Sequence, residues 1–134
     1  MSFEPVPRRD AADRPRHDLA NLQDELRRIE RRLEERVVGG DRAVFLDGSD
    51  SYDAASMAVV RLHGVLERRE YAFLLDAVSD TEMRAISTIR NTVSHGGYRS
   101  MDDESFWETA TLQLPDLVLR LIARADAEPG ASGR

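Results

Sequence analysis

Apolar residues recur at steps of three and four over most of this chain, the period of an α-helix buried along one side. The plainest case is Leu19, Leu22, Leu26, Ile29 and Leu33. That stripe predicts a first helix from His17 to Val38, ended by Gly39-Gly40. Its other faces alternate acids with Arg27, Arg28, Arg31 and Arg32 at helical neighbour spacing. Matched charges of this kind predict a solvated, salt-bridged face, with RNA contact as the functional alternative. The stripe is too short for a long coiled coil and suits a bundle helix, or one shared with a second subunit.

Further along, Val44-Phe45-Leu46 is an apolar trio expected to insert into the core, and Asp47-Gly48 reads as a turn. A second helix is expected from Ser51 or Tyr52 to about Arg68, burying Ala55, Ala58, Val59, Leu62, Val65 and Leu66. His63 on this helix has no second ligand at metal-binding spacing and reads as a packing or surface residue. Glu70 to Val78 is apolar enough for a short helix or a continuation of the second. Ser79-Asp80-Thr81-Glu82 has the form of a capping box and predicts a helix from Thr81 to about Ser94. Met83, Ile86, Arg90 and Val93 fall on one side of it, so Arg90 sits among apolar neighbours. A charge in that position is costly unless it has a partner or faces a cleft. Asp102 or Asp103 is expected to cap a last helix lined by Phe106, Ala110, Leu114, Leu117, Leu121 and Ile122. Pro115 should kink or split that helix, and Trp107 reads as a core or interface anchor.

These elements predict an all-α, up-and-down bundle of four to five helices over residues 17–124, flanked by flexible tails at 1–16 and 125–134. With 41% hydrophobic and 33% charged residues the chain is globular in composition. It has no cysteine, which excludes disulfides and thiolate metal sites. The polar, Pro- and Arg-rich start is unlike a signal peptide, and no apolar run has bilayer-spanning length, so a cytoplasmic protein without a membrane partner is expected. A net charge of −6 argues against a broad polyanion binder. All the basic side chains are arginine, and an RNA-acting role would need them gathered at one cleft.

The candidate chemistry lies in Arg90-Asn91-Thr92-Val93-Ser94-His95-Gly96-Gly97-Tyr98. Guanidinium, amide, imidazole and phenol groups fall within nine positions, at a helix end marked by two glycines. Downstream come Asp102-Asp103-Glu104-Ser105-Phe106-Trp107 and Leu114-Pro115-Asp116-Leu117. The run RN-xxx-HGGY, DDExxW and LPxL resembles the HepT-like branch of the HEPN superfamily, from about Phe45 to Ile122. The resemblance implies a homodimeric helical toxin of a HepT–MntA type pair. It implies cleavage of RNA without a metal or other cofactor, with Arg90 and His95 as catalytic residues in a shared cleft. It also implies neutralisation by an MntA-like nucleotidyltransferase that modifies Tyr98 with AMP. The family pattern is R-x4-H-x-Y, whereas here one extra glycine separates His95 from Tyr98. Either Gly97 bulges out and leaves the tyrosine in place, or the tyrosine is displaced.

On an ideal helix His95 lies roughly 140° round from Arg90. The two can meet only if the helix ends before His95, or across a subunit boundary. Metal-free cleavage needs a base for the 2′-OH, an acid for the leaving 5′-oxygen and a cation near the phosphorane. Histidine serves either proton role near neutrality, and two copies of His95 in one cleft would divide them. Arginine binds two phosphate oxygens at once. Asn91 is a substrate-positioning candidate, with a helix-terminal hydrogen bond as its alternative. The other expectation for the chain is a non-catalytic HEPN subunit that binds a nucleotidyltransferase or its ligand.

Overall fold

The computed structural model describes residues 13–94 and 102–130, and these are helical almost throughout. Five α-helices follow one another among them: α1 Asp13–Leu33, α2 Asp50–Glu67, α3 Asp80–Ser94, α4 Asp103–Glu108 and α5 Leu114–Asp126. A π-helical turn, Glu34–Val38, prolongs α1, and a second, Thr109–Gln113, joins α4 to α5. Counted by rods, the bundle has four.

Each rod packs antiparallel to the next, as short connections dictate. Arg61 of α2 reaches Glu25 of α1, and Asp126 at the end of α5 reaches Gln23 and Arg27, at and just past the middle of α1. Arg120 of α5 meets Glu82 at the start of α3. The two π turns pack against each other at the opposite end.

The stripe of α1 is buried as expected, and Val37 carries it into the π turn. The expected inner residues of α2 are all buried, and they meet Phe106, Ala110, Leu114, Leu117, Val118 and Leu121 in one continuous core. Of the trio Val44-Phe45-Leu46, only Phe45 enters it. Val44 and Leu46 are 56% and 51% exposed, because the short 3₁₀ turn Arg42–Val44 aims alternate side chains outward. Phe45 closes an aromatic cluster with its ring centroid 5.0 Å from Tyr52, 5.4 Å from Phe106 and 5.1 Å from Trp107. Trp107 is therefore a half-buried core residue. Gly48 turns the chain with φ 90°, which suits glycine, and Ser49 caps α2 by accepting from the Tyr52 amide at 3.3 Å.

Residues Arg69–Ala77 are a kinked run of 3₁₀ turns and do not extend α2. Tyr71 breaks the run and fastens it to α1 by donating to the Asp18 carbonyl at 3.1 Å. The capping box at α3 closes in both directions: Ser79 Oγ accepts from the Glu82 amide at 3.1 Å, and Glu82 accepts from the Ser79 amide at 2.9 Å. Pro115 splits the fourth rod as expected, and the split is the π turn just before it. A proline ring clashes with the carbonyl four residues back in an α-helix, and the wider turn relieves that contact.

Two boundaries shift. Helix α1 starts at Asp13, four residues before the expected His17. Helix α5 runs to Asp126, with Ala125 buried, because Gln23 and Arg27 hold the Asp126 carboxylate. No helix among the described residues is long and apolar enough to cross a membrane.

Candidate functional site

Arg90 and Asn91 lie in the last described turns of α3, which is described as far as Ser94. His95 and Tyr98 fall outside the described residues. Arg90 is half-buried, since Met83, Ile86 and Ile89 of its own helix pack into or against the core. Its Nη1 donates to Asn91 Oδ1 at 3.2 Å, and among the described residues it makes no ion pair. The alternative in which Arg90 pairs with an acid of a neighbouring helix is therefore not met among them. Asn91 is exposed and holds the guanidinium by its side-chain oxygen, so it positions Arg90 and leaves its amide nitrogen free to turn outward.

A shallow cavity of about 180 Å³ opens at this end between α3 and the start of α4. It is rich in hydroxyl groups from Thr88, Thr92, Ser105 and Thr109, with Asp102 at its rim. Asp102 is already committed: its carboxylate caps α4 by accepting from the Glu104 amide at 3.0 Å and from Ser105 Oγ at 3.2 Å. Thr92 is likewise occupied, donating to the Thr88 carbonyl at 2.9 Å. Arg90 does not line this cavity. At about 100° per residue it sits roughly 160° round the helix from each of Thr88 and Thr92, on the opposite side. The structure thus joins Arg90 with Asn91 and separates both from the hydroxyl-lined recess.

Behind the motif, α3 is held at its start by a charged node. Burial works against the ionised Glu82, but the Ser79 amide and the Arg120 guanidinium outweigh it and hold the carboxyl below its ordinary range. Arg120 also donates to the Ala77 carbonyl at 2.7 Å and to Asp116 at 3.1 Å. Anchoring the start of the helix to α5 fixes the line along which Arg90 is delivered.

His63 is buried, and its Nδ1 lies 3.2 Å from Glu67 one turn on, which makes it a paired packing residue of α2. Among the described residues the acid–arginine alternation of α1 does not close within the helix. The ion pairs that form run between rods, Arg61 to Glu25 at 3.0 Å and Arg27 to Asp126 at 2.9 Å. Arg28 and Arg32 make none among the described residues, and with Arg61 they border a recess between α1 and α2. Sequence reasoning passed over that recess. The signal was present as Arg28 and Arg32, one turn apart on the same side of α1.

No protein-family model matches this chain, and neither a curated protein nor a solved structure is significantly similar to it.

Proposed function

We propose that this chain is a HepT-like member of the HEPN superfamily, acting as a dimeric, metal-independent ribonuclease toxin held in check by an MntA-like nucleotidyltransferase. One observation carries the reading. Arg90 is half-buried near the end of an anchored helix, is oriented by Asn91 and makes no ion pair among the described residues, five positions before His95. A guanidinium in that state suits a phosphodiester, whose two free oxygens match its paired donors.

In the proposed reaction His95 takes the 2′-OH proton while the 2′-oxygen attacks phosphorus. Arg90 offsets the charge that builds on the phosphorane, and the leaving 5′-oxygen receives a proton from the second copy of His95. The products are a 2′,3′-cyclic phosphate and a 5′-hydroxyl end. AMP on Tyr98 would block such a cleft by bulk and by negative charge. Net acidity and the extra glycine before Tyr98 favour a second reading, a HEPN subunit without catalysis that binds a nucleotidyltransferase.

The test is RNA cleavage by the purified protein in EDTA beside Arg90→Ala and His95→Ala, with the mass of the Tyr98 peptide checked in the same sample. Cleavage that leaves cyclic phosphate ends and vanishes in both variants supports the nuclease. Unmodified dimer that cleaves none of several RNAs refutes it in favour of the binding subunit.

A further inference from the structure

The seam between α1 and α2 opens into a recess of about 470 Å³ that runs into a second of about 180 Å³. Arg28 and Arg61 border both; Arg68 borders the first and Arg32 the second. These four guanidiniums reach the seam from α1, from α2 and from the residue that caps α2, and in two states. Arg61 and Arg68 are already held, by Glu25 at 3.0 Å and by Glu70 at 2.6 Å. Arg68 also lies over the Tyr71 ring, 5.0 Å from its centroid, and Tyr71 is itself tied to α1. Arg28 and Arg32 are exposed and make no ion pair among the described residues. Fixed arginines beside free ones make a surface on which an anion meets donors already aimed and donors still unspent.

Gly64 supplies an independent sign. It sits in the last turn of α2, where glycine still costs roughly 0.5 kcal/mol relative to alanine. A glycine within a helix often permits close packing, yet a Cβ here would meet nothing within 4 Å. No contact within the described fold requires it. It lines the larger recess, and its missing side chain leaves helix backbone uncovered at the floor of the seam.

The spacing of the row decides what kind of anion fits. The Arg61–Glu25 and Tyr71–Asp18 contacts fix the register of the two helices. Along α1 the guanidiniums then fall near levels 32, 28, 25 and 18, roughly 20 Å from end to end at 1.5 Å per residue. One phosphate group touches only neighbours in such a row, whereas a chain of phosphates can follow all of it.

We propose that the α1–α2 seam is a track for the phosphodiester backbone of single-stranded RNA, with Arg28, Arg32, Arg61 and Arg68 as its contacts and Gly64 as its floor. The track lies away from Arg90 and binds through the backbone without regard to base. It shares with the ribonuclease reading only the expectation that RNA is the ligand, and it stands if Arg90 proves inert. Asp24 also borders the recess and opposes binding.

The test uses the full chain and a labelled 2′-O-methyl oligoribonucleotide of about 12 nucleotides, in the size range of single-strand sites. Blocking the 2′-oxygen prevents cleavage, so binding is read alone by fluorescence anisotropy against salt. Arg28→Gln with Arg32→Gln is expected to weaken binding roughly tenfold or more and to flatten the log–log salt slope by about 1.4, at about 0.7 per phosphate contact. Gly64→Leu, which has room to fold, is expected to weaken it similarly by filling the seam. Asp24→Asn is expected to tighten it, and Arg90→Ala to leave it within twofold. Circular dichroism checks that each variant is folded. The proposal is overturned if the wild type does not bind at low salt, or if the double variant and Gly64→Leu bind as the wild type does. Loss of binding in Arg90→Ala alone would also overturn it. AMP that binds as tightly as the oligonucleotide, with the same arginine dependence, would replace the track with a single-phosphate site. Cleavage surviving any of these failures leaves the ribonuclease reading untouched.

Discussion

Replacing Gly64 with alanine should stabilise this protein. Gly64 is the fifteenth residue of an α-helix of 18, in its last turn, where helix propensity applies in part. Alanine is favoured there by roughly 0.5 kcal/mol, because glycine gives up more backbone freedom on folding. The new methyl group would meet nothing within 4 Å, so no steric cost offsets the gain. It would stay exposed, so little hydrophobic burial adds to it. A gain of about 0.5 kcal/mol should raise the melting temperature by roughly 1–3 °C for a domain of this size. Urea unfolding is the better assay, since a shift in midpoint at constant slope reports stability alone. Two other glycines serve as controls. Gly48 has φ 90°, so Gly48→Ala should destabilise the fold. A Cβ at Gly40 would come within 3.2 Å of the Val37 carbonyl oxygen, so Gly40→Ala should gain nothing. Gly64→Ala that leaves stability unchanged or lowers it would mean that position 64 is covered. The open seam, and the recess argued from it, would then be wrong.

Three further outcomes follow from the packing. Phe45→Ala removes the ring at the centre of the aromatic cluster and should cost about 3–5 kcal/mol in chemical denaturation; a loss under about 1 kcal/mol would show that the cluster is not packed. Ser79→Ala opens the capping box and should cost about 1 kcal/mol, with amide hydrogen exchange rising first in the opening turn of α3; uniform exchange across the chain would contradict this. Glu82 should make stability depend on acid. Its folded pKa lies below the unfolded value of about 4.3, so its contribution is complete above that pH and is lost as pH falls through the folded value. Glu82→Gln should therefore be less stable than the wild type at neutral pH and converge with it in acid, and a constant difference across the range would count against the Arg120 pairing.

The sequence made the rods and the core legible because burial imposes its period directly on apolar side chains. Leu19 to Leu33 and Ala55 to Leu66 repeat at helical steps with no competing signal, and both stripes are buried. The capping box was readable for the same reason, since its partners are three residues apart. The connector was harder. Phe45 enters the core while Val44 and Leu46 do not, and that choice belongs to a 3₁₀ turn whose direction depends on where Tyr52 and Phe106 stand. Arg90 and Asn91 were placed on the correct helix, but the hydroxyl-lined recess on another side of it is assembled from two separate helices, α3 and the start of the fourth rod. The charge pattern of α1 misled in a physical way. Pairs one turn apart within a helix gain only a few tenths of a kcal/mol in water. Contacts to α2 and α5 took Glu25 and Arg27 instead.

That rearrangement bears on how an acidic chain could handle RNA. Net charge describes the far field, whereas binding responds to the charge within about a Debye length, roughly 8–10 Å. On the α5 side the arginines are spent on structure: Arg120 on Glu82 and Asp116, Arg124 on Asp76 and Glu128. Acids there are neutralised locally and add little to the field elsewhere. Along the α1–α2 seam four arginines face two bordering acids, and Glu25 already serves Arg61. Several surface arginines elsewhere are also unpaired among the described residues, so lack of a partner alone marks nothing. What distinguishes the seam is convergence of guanidiniums from two helices on one concave surface, where a phosphate chain can be met from both walls. A chain of net charge −6 can therefore be repelled by polyanions at a distance and still hold one at this surface. It follows that binding should be weak and slow to form at low salt for duplex nucleic acid, which is too stiff to enter the seam, and stronger for a flexible single strand. Equal affinity for a duplex and a single strand of the same length would show that the surface attracts charge without shape, and the seam would lose its claim to be a site.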